Sequence, residues 1–316
     1  FWARFCGGHR PGESKHYYFS RRASLGRRGE YLFLAGSGRI PVHRILRTAH
    51  AVIDVSGAPG IGKKPKKRKD AMELTLPPTE LRFMNESDEA FVSIGELNIG
   101  FLETAGLGND THLLDIGSGY GRLAIALNRK YPDFAGRYVG IDILPKHVKW
   151  CEKNIQKKIS AYEFDTIDVQ NDRYMAKAKA SATQYRFKYA DASFDQVGLF
   201  SVFTHMYEAE IANYLNEIAR VLKPGGSCVA TFFVFDDERL AKVNAKDAGI
   251  TLKHKFSDNN YYFNEKDPLH AIAFRDTHVR DMAKAAGLEF VDCQLGHWAG
   301  GNAPQYQDAV TLKKAG

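Results

Sequence analysis

The chain is poor in several things, and each shortage narrows what it can be. Only four cysteines occur in 316 residues, Cys6, Cys151, Cys228 and Cys293, and no two stand as CxxC. Such scattered cysteines read as reduced, packed thiols, not as a disulfide framework or a zinc site. No apolar run approaches about eighteen residues, so no membrane-spanning helix is expected. Tyr31 to Ala35 is too short and too glycine-flanked for a cleavable leader. No internal repeat and no metal-ligand spacing is present, so no metal is expected. Acidic residues are scarce at one end. Residues 1–70 hold 16 of the 44 Lys/Arg and 4 of the 37 Asp/Glu, which leaves 28 basic against 33 acidic residues and −5 for 71–316.

That imbalance divides the chain into a basic extension, 1–70, and an acidic remainder, 71–316. The densest basic run is Lys63 to Lys69. Like-charge blocks resist compaction. Three readings stay open for the extension: a passive, flexible arm; a contact for nucleic acid or an anionic membrane through counterion release; or a segment outside the natural mature protein. The chain begins at Phe1 and not at Met, which fits a fragment. At 44% hydrophobic content, the remainder is long enough for one sizeable core.

What is present centres on His112-Leu-Leu-Asp-Ile-Gly-Ser-Gly-Tyr-Gly-Arg122. A short apolar run ends in Gly117, Gly119 and Gly121, and an amphipathic stretch follows. That is a strand, a tight turn and a helix. A second apolar run, Tyr138 to Asp142, ends in a carboxylate suited to both hydroxyls of a ribose. Together the two segments suggest a cofactor that carries a nucleoside. A dinucleotide turn is G-x-G-x-x-G and cradles a pyrophosphate. Here Asp115 precedes the glycines and Arg122 stands where the third dinucleotide glycine belongs. A carboxylate repels pyrophosphate and suits an ammonium beside a sulfonium.

The pattern continues as alternating strands and helices. Helical spacing is expected between Leu81 and Leu102, on Phe91, Ile94, Leu97, Phe101 and Leu102, where the helix would cross the pocket mouth. A helix is expected over Lys146 to Ile159 and a third strand over Tyr162 to Val169. A fourth strand follows over Asp195 to Val202, then a helix over Glu208 to Leu222 stopped at Lys223-Pro-Gly-Gly226. A fifth strand covers Ser227 to Phe235, a last helix Thr277 to Ala286, and closing strands Leu288 to Leu295 and Asp308 to Leu312. This succession predicts an α/β fold with a mostly parallel sheet covered on both faces.

The D-x-G-x-G-x-G turn resembles motif I of the class I S-adenosylmethionine (SAM) methyltransferases. Further segments are similar to those of bacterial methyltransferase-domain proteins: Leu76-Pro-Pro-x-x-Leu-Arg82, Trp150-Cys151, Asp168-Val-x-Asn171, Ser201-Val-Phe-Thr-His-Met206, Glu217 to Gly226, and Trp298 with Gln307-Asp308. Together they cover about 235 residues. Ser118 departs from the group, where Cys is frequent. The resemblance implies a Rossmann-like, three-layer, seven-stranded mostly parallel sheet and SAM as cofactor. It implies that Asp115 holds the methionyl end, that Gly117, Ser118, Gly119 and Gly121 let the backbone approach, and that Asp142 binds the ribose with Ile143 beside the adenine. Asp168 and Val169 would meet the adenine, and Ser201 would line the site after strand four.

His205 is the only side chain of that last segment able to act as a base near neutral pH. It is the catalytic candidate, with a structural role as the alternative. The segment has no Asn/Asp-Pro-Pro-Tyr/Phe and no Pro-Cys pair, patterns associated with amino-group and pyrimidine methylation. The expected acceptor is therefore a hydroxyl on a small molecule, such as a sugar. An RNA substrate held by the basic extension and a SAM-binding scaffold without turnover are the alternatives. Phe256, Tyr261, Tyr262, Phe263 and Phe274 form an aromatic stretch expected as an acceptor lid or a packed insertion. A cytoplasmic location is expected, and no oligomeric state follows.

Overall fold

A computed structural model describes residues 72–82, 86–245 and 249–316. The basic extension, 1–70, lies outside them. Helix α1 (Asp88–Thr104) starts at Ser87, whose hydroxyl accepts from the Ala90 N–H, and carries two acidic residues in its first turn. Both features suit the positive end of a helix. Then come β1 (His112–Ile116), α2 (Arg122–Lys130), β2 (Arg137–Asp142), α3 (Pro145–Cys151), β3 (Tyr162–Thr166), β4 (Phe194–Leu199), α4 (Glu208–Val221), β5 (Leu222–Phe232), β6 (Val234–Phe235) and α5 (Asp237–Asn244). The chain continues through β7 (His254–Ser257), β8 (Asn260–Tyr262), β9 (Ile272–Arg275), α6 (Asp276–Ala285), β10 (Leu288–Gln294) and β11 (Asp308–Lys314).

The main sheet has seven strands in the order β10-β11-β5-β4-β1-β2-β3. Strands β3, β2, β1, β4 and β5 run parallel, and β11 is antiparallel to both its neighbours. This is the expected α/β class and strand number. Period-two alternation explains the two covered faces. Leu114, Ile116, Val139, Ile141, Val197 and Leu199 face one core with α4 and α6. Leu113, Tyr138 and Val229 face the other, with α1, α2 and α3. Strand order reverses between β1 and β4. Ligands of open α/β sheets bind at such a switch point, beyond the carboxyl ends of the strands.

Several expected boundaries move. The third strand stops at Thr166, not Val169. Beyond it Val169 only bridges Ala180, because the chain turns away from β2 after Ile167 bonds the Asp142 carbonyl. The fourth strand spans Phe194–Leu199 and so excludes Ser201. The helix expected to reach Ile159 becomes a π-turn after Cys151, where the Lys157 N–H reaches back to the Glu152 carbonyl. The Lys223-Pro-Gly-Gly226 turn is taken into β5 with a register shift against β4, and Gly225 supplies the positive φ. The expected fifth strand also divides. Val234–Phe235 leaves the main sheet and opens a second one, of order β6-β9-β8-β7. That sheet has its own core of Phe233, Phe235, Ile250, Leu252, Ala273 and Trp298. The aromatic stretch is thus divided between faces. Phe274 is buried and Tyr261 and Phe263 pack against cores, while Phe256 is half exposed and stacks on Tyr262.

Candidate active site

The glycine turn joins β1 to α2 at the switch point. The N–H groups of Gly117 and Ser118 both donate to the Ile141 carbonyl, at 2.8 and 3.0 Å, so the turn is pinned to β2. Gly117, Gly119 and Gly121 all have positive φ, but for different reasons. A Cβ on Gly117 would stand 2.5 Å from Val202 Cγ2, and one on Gly121 2.5 Å from Ile155 Cδ1. Those two glycines serve packing. A Cβ on Gly119 would meet nothing within 4 Å. Gly119 is therefore the residue whose bare backbone faces open space, where a ligand can approach.

Asp142 closes the same loop from β2. One carboxylate oxygen accepts the Gly119 N–H at 2.8 Å and the other the Leu144 N–H at 2.7 Å. Each oxygen keeps a lone pair for a further donor. His147 Nδ1 lies 3.4 Å from Asp142, and the Tyr120 ring packs against the His147 ring at 4.3 Å. Ile143 is half-buried against the core beside it.

Asp115 sits one strand away, fully buried in β1. Its carboxylate accepts the Tyr138 hydroxyl at 2.5 Å. Burial pushes its pKa up to about 7; the Tyr138 hydrogen bond opposes that, and the nearby Asp142 charge adds to it. Ser118 Oγ is buried without a hydrogen-bond partner. A buried acid raised in pKa and an unpaired hydroxyl mark a place that a polar, cationic group can satisfy. Gly119, Asp142, Asp115 and Ser118 therefore fit SAM: open backbone, a carboxylate for ribose, and a second carboxylate for the ammonium end.

Arg122 does not face this cradle. It pairs with Glu86 and lies over the Phe91 ring at 4.9 Å, which ties α1 to the turn. The sequence did not announce that partner; only the helical spacing of Phe91 pointed to α1.

The other expected residues separate. Asp168 is exposed in the loop beyond β3, where its carboxylate accepts the Lys179 N–H at 3.4 Å. Val169 is buried in the core with Ala182 and Phe187. Ser201 stands just past β4 with φ 60°, a left-handed conformation unusual outside glycine. Its N–H donates to Thr231 Oγ1 at 2.7 Å and its hydroxyl to Gln307 Oε1 at 3.1 Å. His205 has other partners than Ser201. Its Nδ1 donates to the Leu269 carbonyl at 2.8 Å, and its ring packs edge-on to Tyr174. Burial lowers its pKa to about 4; the Leu269 bond opposes that, and the Arg173 and His270 charges reinforce it. The imidazole is thus neutral with a fixed tautomer. Asn171 supports it by donating to the His205 carbonyl at 3.0 Å.

Thr231 and Gln307 were not among the expected site residues. Thr231 lies inside a β pattern, and Gln307 is separated from Ser201 by 106 residues. Their one signal was the resemblance at Gln307-Asp308. Two cavities lie elsewhere among the described residues. One of about 560 Å³ sits at the opposite end of the sheet, between Asp195, Gln196 and Gly225. One of about 440 Å³ opens between α1 and Pro304. Among the described residues, no cluster of His, Cys, Asp and Glu is arranged for a metal, and no helix is long and apolar enough to cross a membrane.

Residues 114–230 match the family described as "Methyltransferase domain". Solved structures are similar at low identity. The 1,6-didemethyltoxoflavin-N1-methyltransferase of Burkholderia thailandensis, with its substrate and S-adenosylhomocysteine bound, is 18% identical over 72% of this chain and 80% of its own, with a TM-score of 0.44. A protein of Pyrococcus horikoshii is 18% identical over 73% and 93%, with a TM-score of 0.49. A SAM-dependent methyltransferase of Aquifex aeolicus is 14% identical over 76% and 99%, with a TM-score of 0.45. The matched segment holds the glycine turn, Asp115, Asp142 and β4, the elements that build the cradle. Residues 114–230 are thus a SAM-dependent methyltransferase domain, and SAM is the methyl donor it implies.

Proposed function

We propose that the methyl group goes to a hydroxyl on a small molecule. The observation that supports this is the polarity of Ser201. Its hydroxyl proton is committed to Gln307 Oε1, so its oxygen offers only lone pairs to a neighbour. An acceptor O–H that donates to Ser201 keeps its own lone pairs for the methyl group. SAM, when bound, supplies a methyl already activated by positive sulfur. The chain then needs chiefly to align the acceptor and exclude water.

Asp142 and Gly119 hold the ribose in this reading, and Asp115 with Ser118 holds the methionyl end. Ile143 flanks the adenine. In this reading Asp168, exposed in the loop after β3, meets the far edge of the adenine, and Val169 supports that loop from the core. His205 serves by fixing the turn after β4 against Leu269, because a histidine with a pKa near 4 is too weak a base to drive proton removal at neutral pH.

The test is an acceptor screen with methyl-labelled SAM across phenols, sugars, amines and RNA. Label recovered as an O-methyl group on a small molecule is the expected result. Label on nitrogen, or on RNA only when residues 1–70 are present, would overturn it. Binding of SAM with no transfer to any member would favour a scaffold.

A further inference from the structure

Three residues far apart in sequence meet at the carboxyl end of β4. Ser201 holds φ 60° there, a conformation that is strained for a non-glycine residue and persists only when neighbours fix it. Thr231, from β5, fixes the backbone by accepting the Ser201 N–H at 2.7 Å. The Thr231 hydroxyl in turn donates to Gln307 Oε1 at 2.6 Å. That distance is typical of O–H···O and short for N–H···O, so the carboxamide oxygen faces the two hydroxyls. Ser201 Oγ donates to the same oxygen at 3.1 Å, and Gln307 Nε2 reaches Thr204 at 3.5 Å.

Gln307 can do this because its own backbone is anchored. The next residue, Asp308, is fully buried. Its carboxylate accepts from Val234 N, Gly296 N, Trp298 Nε1 and Arg239, all within 2.9 Å. A buried carboxylate with four donors is a rigid post, since losing any of them leaves a charge underpaired.

We propose that Gln307 is a positioning residue for the methyl-donor site. By collecting two hydroxyl protons on one carbonyl oxygen, it locks Thr231 as an acceptor for the Ser201 N–H. It thereby holds the strained turn that ends β4 at the switch point. The last strand of the chain in this way controls the cofactor edge without touching the glycine turn. The inference rests on the reading that Ser201 lines the site.

The probe is S-adenosylhomocysteine, titrated calorimetrically, together with amide hydrogen exchange of the segment around Ser201. Gln307→Leu is expected to weaken binding about tenfold and to speed exchange at Ser201 by a similar factor. Gln307→Glu keeps an oxygen able to accept both protons and should recover most of both. Adding Ser201→Gly to Gln307→Leu should restore most of the affinity, because glycine takes φ 60° unaided. A purely structural role for Gln307 predicts no such rescue. If Gln307→Leu fails to fold, Thr231→Val removes the same Ser201 acceptor and carries the same expectations. Unchanged binding and exchange in Gln307→Leu, or no rescue by Ser201→Gly, would overturn the proposal. Wild-type protein giving no binding heat would instead sink the cofactor reading, while the exchange arm still decides the role of Gln307.

Discussion

The two ends of the proposed site are built by different means. The cradle at β1 and β2 is local: Asp115, three glycines and Asp142 fall within 28 residues, and backbone N–H groups do much of the holding. The edge at β4 is assembled from Ser201, Thr231 and Gln307, which three separate strands deliver, and side chains do the holding. A local cradle can be read from one stretch of sequence and fails one residue at a time. A composite edge is invisible until the sheet forms, and any of three strands can break it.

Within the cradle the glycines offer the sharpest contrast and the largest effects. Gly121→Ala combines a left-handed φ with a Cβ 2.5 Å from Ile155, and should cost about 2–5 kcal/mol in stability. Gly119→Ala meets open space and should cost only about 1–2 kcal/mol of folding, yet lose SAM binding at least tenfold. Thermal melts with matched titrations decide it. Equal losses in both quantities for both variants would erase the distinction.

Next in size is His205. It is neutral in the fold with a pKa near 4, against about 6.5 when unfolded. Below pH 6.5 the unfolded chain takes a proton that the native one refuses. The stability His205 contributes is present above pH 6.5 and lost as pH falls toward 4, by about 3 kcal/mol. His205→Gln should flatten that part of the stability–pH curve while SAM affinity stays near wild type. A large loss of turnover at unchanged stability would instead restore His205 as a base.

Asp142→Ala comes third, with an expected loss of about 1–3 kcal/mol in SAM affinity. It removes a charged acceptor from the ribose and from the Gly119 N–H together. Undiminished affinity in a folded variant would take Asp142 out of the site.

The smallest effect concerns Asp115. Its pKa near 7 means that the free protein holds a proton there at pH 6. Its folded pKa is raised, so the stability it contributes is greatest below pH 4 and is lost as pH rises toward 7. An ammonium placed beside it expels that proton. SAM affinity should therefore rise about tenfold from pH 6 to pH 8, with proton release visible as a buffer-dependent binding heat. Asp115→Asn should abolish both. Proton uptake on binding would contradict the placement.

These contrasts also explain what the sequence disclosed. The glycine turn, both carboxylates and the alternation of strands were legible because each lies within one short window. The resemblance at motif I sharpened the cofactor from a nucleoside to SAM. Boundaries failed where backbone geometry is set by a neighbour: β3 ends early because Asp142 captures Ile167, and a π-turn replaces the helix after Cys151. The second sheet went unseen because Val234–Phe235 continues the β pattern of β5 while pairing with β9. Sequence could not choose between the two roles open to His205, since it does not show the bond from the His205 ring to the Leu269 carbonyl. Gln307 is a polar residue in a turn until Thr231 and Ser201 are folded against it.

The most direct test of the account is a paired calorimetric titration of the intact chain with SAM and with NAD. The cradle predicts saturable one-site binding of SAM and none of NAD, because the carboxyl groups of Asp115 and Asp142 border the glycine turn and disfavour a pyrophosphate there. Saturable NAD binding with no SAM heat would contradict it.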